Sequence, residues 1–371
     1  MRILIAAGGT AGHINPALAI ASVIKAHCPD AEIHFAGRKK GMEYGLVTKA
    51  GYAFHPIEVN GIQRRLTPKN MARNVVAMYH LALAVPRANA ILNEIKPNLV
   101  IGAGGYVSGP ILQAAARKGI KTAIHEQNAF PGVTNKILAR GADVVLAAMP
   151  DAVERLCVPE KTTVVGNPVR AEMFAQNRTA ARVEIGAKDG QTVLLSFGGS
   201  LGAQRINEVI ADLAQWEIAN RDFLHIHATG SIEKDDFAAL AAEKNIADNA
   251  KFSIREYIDD MPAKLAAADL VISRAGALTL AEISAVGKAS ILIPSPNVAE
   301  NHQYYNAMQL QKLGAALVVE EKDLTGEKLI AMVDDLTKDP TELLIMGTKA
   351  KALSNPDSLE KIWKTLEPLL K

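Results

Sequence analysis

Glu282 stands three residues after Thr279 in SRAGALTLAEI (Ser273–Ile283), a run that leaves an apolar segment, turns at Gly276 and opens a helix. The first N–H groups of such a helix, at Ala277, Leu278 and Thr279, can hold phosphate oxygens. A carboxylate one turn further on offers two oxygens to the two hydroxyls of a ribose. The other reading of Glu282 is an acid that complements the helix dipole. ENHQYYNA (Glu300–Ala307) follows the next apolar run, ILIPSP, with amide and imidazole groups where a helix would begin. His302 and Gln303 there suit hydrogen bonds to sugar hydroxyls, or Asn301 and Gln303 serve only as cap and surface.

Three glycine clusters offer further anion sites. IAAGGTAGH (Ile5–His13) and LSFGGSLGA (Leu195–Ala203) echo one another, each following an apolar strand and leading into a helix. Gly8 and Gly9 permit close backbone approach, and the hydroxyl of Ser200 with its neighbouring N–H groups can hold a diphosphate. GAGGYVSGP (Gly102–Pro110) spends four glycines beside Tyr106 and Ser108, a composition that ligand approach explains better than a structural turn does. A dinucleotide fingerprint fails in the first loop. Ala7 occupies a glycine position, and the second strand ends in Gly37, Arg38, Lys39 and Lys40 rather than in an acid.

Short apolar runs alternate with helical segments along all 371 residues, the pattern of parallel α/β architecture. Strands are expected at ILIAA, EIHFAG, LVIGAG, KTAIHE and DVVLAA, then at TVLLSFGG, FLHIHATG, DLVISRAG, ASILIP and AALVVE. Two Rossmann-like halves follow, with the seam near VVGNPVR (Val164–Arg170). The expected domains are 1–163, 164–345 and a helical tail, 346–371, that is a candidate to pack back on the first. A formal net charge of +2 gives no argument for nucleic acid, and two cysteines, Cys28 and Cys157, form no metal cluster or disulfide framework. MRILIAA reads as a first strand rather than a signal peptide, and no apolar run approaches a membrane-spanning length.

GGTxGHxxPxLAxA, GxGGYVSGP, HEQNxxPGxTNKxLA, VxGNPVR, GGSLGA, EYIDDM, SRAGALTLxE and HQxxNA occur in this order. Together they closely resemble the MurG family of N-acetylglucosaminyltransferases, which turn lipid I into lipid II in peptidoglycan synthesis. The resemblance implies a GT-B fold, two Rossmann-like domains facing across a cleft. UDP-GlcNAc would bind mainly the C-terminal half and the polyprenyl-linked acceptor the N-terminal half. Carried over by position, Glu282 is the ribose ligand. Ser200 and Ala277–Thr279 hold the diphosphate, the Ile258 backbone meets uracil, and Gln303 with His302 reads the sugar. Thr10, Ala11, Gly12, Asn128 and Arg170 are further donor contacts; Gly8, Gly9, Gly104, Gly105, Tyr106 and Ser108 face the acceptor. Ala11 replaces the family's usual second glycine, and nothing after Lys338 matches a family motif.

The implied reaction inverts the anomeric carbon in one displacement, so it needs a base and a positive field for leaving UDP. Helix N-termini can supply that field, and no cofactor or divalent metal is implied by the sequence. His13 is the candidate base, kept neutral by the helix N-terminus; the alternative is an acceptor-phosphate ligand or helix cap. Glu126 in HEQN is the rival base, or else it orients a neighbouring histidine or holds the loop. Ile62–Lys96 combines an apolar helix with Arg64, Arg65, Lys69, Arg73 and Arg87, and no acid lies between Glu58 and Glu94. This suits an anionic membrane surface, or else a core helix with solvated basic ends. By resemblance the enzyme is peripheral, on the cytoplasmic face of the bacterial inner membrane, serves wall biogenesis, cell shape and division, and has a wall-synthesis complex as a candidate partner.

Overall fold

The computed structural model describes residues 1–59 and 68–371, which divide into two compact units, 1–168 with 357–371, and 169–356. In the first, β1 (Arg2–Ala6), β2 (Glu32–Gly37), β3 (Ala53–Pro56), β4 (Leu99–Gly102), β5 (Lys121–Glu126), β6 (Val144–Ala147) and β7 (Thr162–Val164) form a parallel sheet in the order β3-β2-β1-β4-β5-β6-β7. In the second, β8 (Val193–Phe197), β9 (Leu224–Ala228), β10 (Phe252–Arg255), β11 (Leu270–Ser273), β12 (Ala289–Leu292) and β13 (Leu317–Val318) repeat that winding as β10-β9-β8-β11-β12-β13. Both orders reverse direction beside the first strand of their sheet, between β1 and β4 and between β8 and β11. Ligands of doubly wound sheets bind at such a switch point, outside the carboxyl ends of the strands.

The central strands are apolar on both faces because helices cover both. Leu4 and Ala6 of β1 pack with Leu92, Ile111 and Leu112 on one side. Ile3 and Ile5 pack with Ile14, Ile20 and Ile24 of the helix Ala11–His27 on the other. In the second unit Leu194 meets Val209 and Leu213 of the helix Gln204–Asn220, and Leu195 meets Leu280 and Ile283 of the helix Ala277–Val286. Three strands, β3, β7 and β10, fall outside the ten expected runs, β7 ending where the seam was expected. All three are outer strands of short or mixed sequence, AFHP, TTV and FSIR, and lack the continuous apolar run of a strand buried on both faces.

The units divide at 168/169 and 356/357 rather than at 163/164 and 345/346. Val165 is buried in the first core and the Asn167 side-chain amide donates to the Gln127 carbonyl at 3.0 Å, which keeps GNP with the first sheet. The helix Pro340–Ala352 belongs wholly to the second unit, where Met346 and Ala350 are buried. Only the last helix, Ser358–Leu366, returns to the first. Trp363 stacks on His27 with centroids 4.6 Å apart, and His27 Nε2 lies 3.2 Å from Glu360 Oε2.

Candidate active site

The loop after β1 carries its chemistry on the first turn of a helix. Thr10 is the extended N-cap residue and makes no side-chain capping bond, so Ala11, Gly12 and His13 are already helical. Ala11 thus needs no left-handed backbone, which explains how alanine replaces glycine there. His13 Nδ1 lies 3.1 Å from the Gly8 carbonyl and 3.4 Å from Thr10 Oγ1. A carbonyl only accepts, so Nδ1 carries the proton and Nε2 the lone pair.

The loop after β4 is fitted against that histidine. Gly104 has φ +106, and a Cβ there would come within 2.5 Å of His13 Cδ2; a Cβ on Gly105 would collide with the Gly8 carbonyl. Glycine at both positions is what lets the two loops lie against each other at the switch point. Tyr106 is exposed beside them, whereas Ser108 is fully buried. The Ser108 hydroxyl is 3.0 Å from both the Ala6 and Gly104 carbonyls and accepts from Gly104 N–H at 3.2 Å. Ser108 therefore braces the loop, and the expected acceptor contact through its side chain is corrected.

Glu126 takes the loop-holding alternative. Its side chain is buried, with Oε1 accepting from Asn128 N–H (2.9 Å) and Nδ2 (3.1 Å) and Oε2 from Gly132 N–H (3.1 Å) and Asn135 Nδ2 (2.8 Å). Burial pushes its pKa up against those four bonds. A carboxylate so enclosed, with both oxygens spent on its own loop and helix, holds the loop Gln127–Gly132 and fixes Asn128. Neighbouring His125 is pulled down to about 4 by burial, so it stays neutral.

In the second unit the loop after β8 stays open through Ala203, and the helix begins only at Gln204. Gly199 and Gly202 have φ +103 and +95, and Gly202 interlocks with Gly230 after β9 so closely that a side chain at either would strike backbone. Ser231 and Ile232 N–H groups donate to the Ser200 and Leu201 carbonyls at 3.1 Å. Ser200 is thereby presented at the surface.

Across the switch point, Gly276 precedes the helix Ala277–Val286 and no side chain caps it. Glu282, on its second turn, is pushed up to about 7 by burial, with the Arg170 guanidinium opposing. Arg170 itself is exposed at the start of the helix Ala171–Ala175. Glu300 and Asn301 both adopt positive φ, +55 and +50, just ahead of the helix His302–Lys312. Asn301 makes no side-chain cap, so the capping alternative is not realised, and consecutive left-handed residues mark a held loop. Gln303 Oε1 accepts from Ser295 N–H at 2.9 Å, which leaves its Nε2 directed by that bond. His302 Nδ1 is 2.8 Å from the Ala299 carbonyl, and burial lowers its pKa. Ile258 is buried in the turn after β10.

Residues 3–147 match the glycosyltransferase family 28 N-terminal domain and residues 193–362 its C-terminal domain. The chain belongs to glycosyltransferase family 28. It is 42% identical over 369 residues to the UDP-N-acetylglucosamine--N-acetylmuramyl-(pentapeptide) pyrophosphoryl-undecaprenol N-acetylglucosamine transferase of Thermoanaerobacter sp., covering 100% of both chains. It is 40% identical over 371 residues to the enzyme of the same name from Acetivibrio thermocellus, covering 100% of this chain and 99% of that one. The crystal structure of Acinetobacter baumannii MurG superposes with a TM-score of 0.77 at 28% identity, covering 99% of each chain. The family 28 fold of this chain is thus of the GT-B class, built from its two parallel-sheet domains.

Two residues inside the quoted motifs, Arg274 in SRAGALTLxE and Gln127 in HEQN, shape this family 28 site without being among the expected site residues. Arg274 donates to the Ile293 and Pro294 carbonyls at 3.2 and 3.3 Å and pairs with Glu321, tying the loops after β11 and β12 together. Gln127 donates to the Ala103 carbonyl at 2.8 Å and so couples the loops after β4 and β5. Among the described residues no three metal-binding side chains cluster, and no helix is long and apolar enough to cross a membrane. Of Ile62–Lys96, residues 62–67, with Arg64 and Arg65, lie outside the described residues. So do the side chains of Lys69 and Arg73. The remainder forms the helix Pro68–Ile95, whose later turns bury Ala84, Ala88, Ile91 and Leu92 in the core.

Proposed function

We propose that this chain transfers N-acetylglucosamine from UDP-N-acetylglucosamine to the C4 hydroxyl of the muramyl sugar in undecaprenyl-pyrophosphoryl-MurNAc-pentapeptide. The observation that carries the reading is His13, oriented by the Gly8 carbonyl so that Nε2 holds the lone pair, beside an open glycine loop. The full-length relatives bearing that transferase's name support the substrates.

The acceptor diphosphate is assigned to the loop Gly8–Gly12 and the helix N-terminus it opens, with Gly104, Gly105 and Tyr106 shaping the acceptor side. His13 Nε2 takes the proton of the attacking hydroxyl as that oxygen bonds to the anomeric carbon. The bond to the UDP oxygen breaks on the opposite face, so an α-linked donor yields a β-linked product. Charge developing on the leaving diphosphate is met by the N–H groups of the helix starting at Ala277 and by Ser200. Glu282 takes the ribose hydroxyls, the Ile258 backbone meets the uracil, and Gln303 Nε2, aided by His302, reads the sugar. Asn128, fixed by Glu126, and exposed Arg170 are assigned to the donor, as are Thr10 and the backbone at Ala11 and Gly12.

The prenyl-linked acceptor requires work at a lipid surface, and the basic stretch Ile62–Lys96 is assigned to an anionic membrane face. Co-sedimentation with anionic vesicles should fall when Arg64, Arg65, Lys69 and Arg73 are neutralised; unchanged binding would remove that assignment.

The transfer itself is tested with UDP-GlcNAc labelled in the sugar and a short-chain acceptor analogue. Label appearing in a β-linked disaccharide lipid is expected. UDP binding without transfer would leave a nucleotide-sugar-binding protein instead.

A further inference from the structure

The basic end of β2, Arg38-Lys39-Lys40, has no part in the mechanism above. β1 and β2 run in register with Ala6 opposite Ala36, and Ala7 N–H donates to the Ala36 carbonyl at 3.3 Å, so Arg38 leaves the sheet beside Gly8. Beneath both lies Glu43, fully buried near the start of the helix Met42–Lys49. Its Oε1 accepts from Arg38 N–H at 3.0 Å and from Arg38 Nε at 3.4 Å, while its Oε2 has no hydrogen-bond partner.

Three glycines are shaped around this carboxylate. A Cβ on Gly8 would come within 2.8 Å of Glu43 Oε1, one on Gly37 within 2.7 Å of Cγ, and one on Gly41 would collide with the carboxylate itself. If Arg38 served only to neutralise Glu43, its fork would close on both carboxylate oxygens. Instead a single long contact through Nε orients it, one carboxylate oxygen is left bare, and no hydrogen bond of the described residues engages the Nη groups. The side chain is 36% exposed, and the crown of the neighbouring loop is open, with nothing within 4 Å of a Cβ placed on Gly9.

We propose that Arg38 is an acceptor-binding residue whose two Nη groups take an oxyanion beside the Gly8–Gly12 loop, a phosphate oxygen or a peptide carboxylate. This rests on the transferase reading and on the acceptor lying over the first unit. Glu43 is the positioning residue, holding the guanidinium from below through the three-glycine seat. Lys39 and Lys40 are exposed neighbours that add positive field without geometric constraint.

The test is steady-state kinetics of Arg38→Gln and Arg38→Lys with two short-chain acceptors, one with its pentapeptide intact and one with the peptide carboxylates amidated. Arg38→Gln should raise acceptor KM about tenfold, with kcat and donor KM within about twofold of the parent. Arg38→Lys should recover only part of that loss, because an ammonium replaces a fork by a point charge. A penalty that disappears on the amidated acceptor identifies a peptide carboxylate; one equal on both acceptors identifies a phosphate. Unchanged acceptor KM for Arg38→Gln on both acceptors overturns the proposal, as does an equal rise in donor KM. If thermal melting shows Arg38→Gln unfolded, Arg38→Lys decides by the same criterion. Turnover by the unsubstituted protein on the intact acceptor tests the transferase reading separately.

Discussion

GGTAGH and GGSLGA occupy the same place in two copies of one winding, yet their last three residues have different structures. Gly9 and Gly199 both turn with positive φ, +93 and +103. After that the first loop enters its helix at Ala11, while the second runs on to Gln204 because Gly202 turns again and locks against Gly230. The sixth residue is therefore a helix-borne histidine in one unit and a loop alanine in the other. A short loop holds an imidazole rigidly against a neighbouring glycine loop; a long one presents a hydroxyl in the open. In the proposed reaction the first geometry suits proton transfer, and the second suits the leaving diphosphate of the donor.

The sharpest way to break this division is His13→Ala. Removing the proposed base should cut turnover by about 100-fold or more at saturating substrates. Turnover close to the parent would strip the first loop of its chemical role. Glu282→Gln should act on the other side, raising donor KM about 30-fold through loss of a charged acceptor for two hydroxyls. Its ionisation gives a sign as well. With a pKa near 7, Glu282 is protonated below neutrality and loses acceptor capacity, so donor KM should climb as pH falls from 8 to 5. The rise should be at most about tenfold per pH unit, and Glu282→Gln should flatten it. A flat profile in the parent would dissociate Glu282 from the donor.

Gly12→Ala and Gly202→Ala test the structural half of the comparison. A Cβ on Gly12 meets only Thr10 Oγ1 at an ordinary 3.5 Å, so the melting temperature should hold. At Gly202 the backbone is left-handed and a side chain would strike the Thr229 carbonyl, a strain of about 1–3 kcal/mol that should lower the melting temperature by several degrees. Equal melting of the two variants would mean that the loops are not held differently. A further effect is on acid stability. His227, buried in the second unit, is pulled from 6.5 to about 3, and His125 in the first to about 4. The unfolded chain protonates these groups first, so stability should fall as pH drops below 6.5. Each contributes at most about 1.4 kcal/mol per pH unit, His125 down to about 4 and His227 down to about 3. Chemical denaturation at pH 7 and 5 reads this, and equal midpoints would contradict it.

The winding of both sheets was legible because central parallel strands must be apolar on both faces, as ILIA and VLLSF are. The outer strands AFHP and FSIR carry no such run. At the site, polar residues beside glycine loops look alike in sequence whether they face a ligand or the protein. Ser108 reads as a ligand group and is spent on backbone carbonyls instead, while Glu126 reads as either a base or a loop support and is spent on backbone N–H groups and two asparagine amides. Glu43 went unread because its partners, Gly8, Gly37 and Gly41, come from two loops that meet only in the folded sheet. The left-handed pair Glu300–Asn301 was hidden too, since neither residue is a glycine. Ala11 is settled by the earlier helix start, which no local letter announces.

The most direct test of the division between the two loops is the UDP-GlcNAc dissociation constant of His13→Ala and Glu282→Gln, measured by titration calorimetry beside the parent. His13→Ala should bind within about twofold of the parent, and Glu282→Gln about 30-fold more weakly. Donor binding lost in His13→Ala, or kept in Glu282→Gln, would contradict the assignment of proton transfer to the first loop and nucleotide recognition to the second unit.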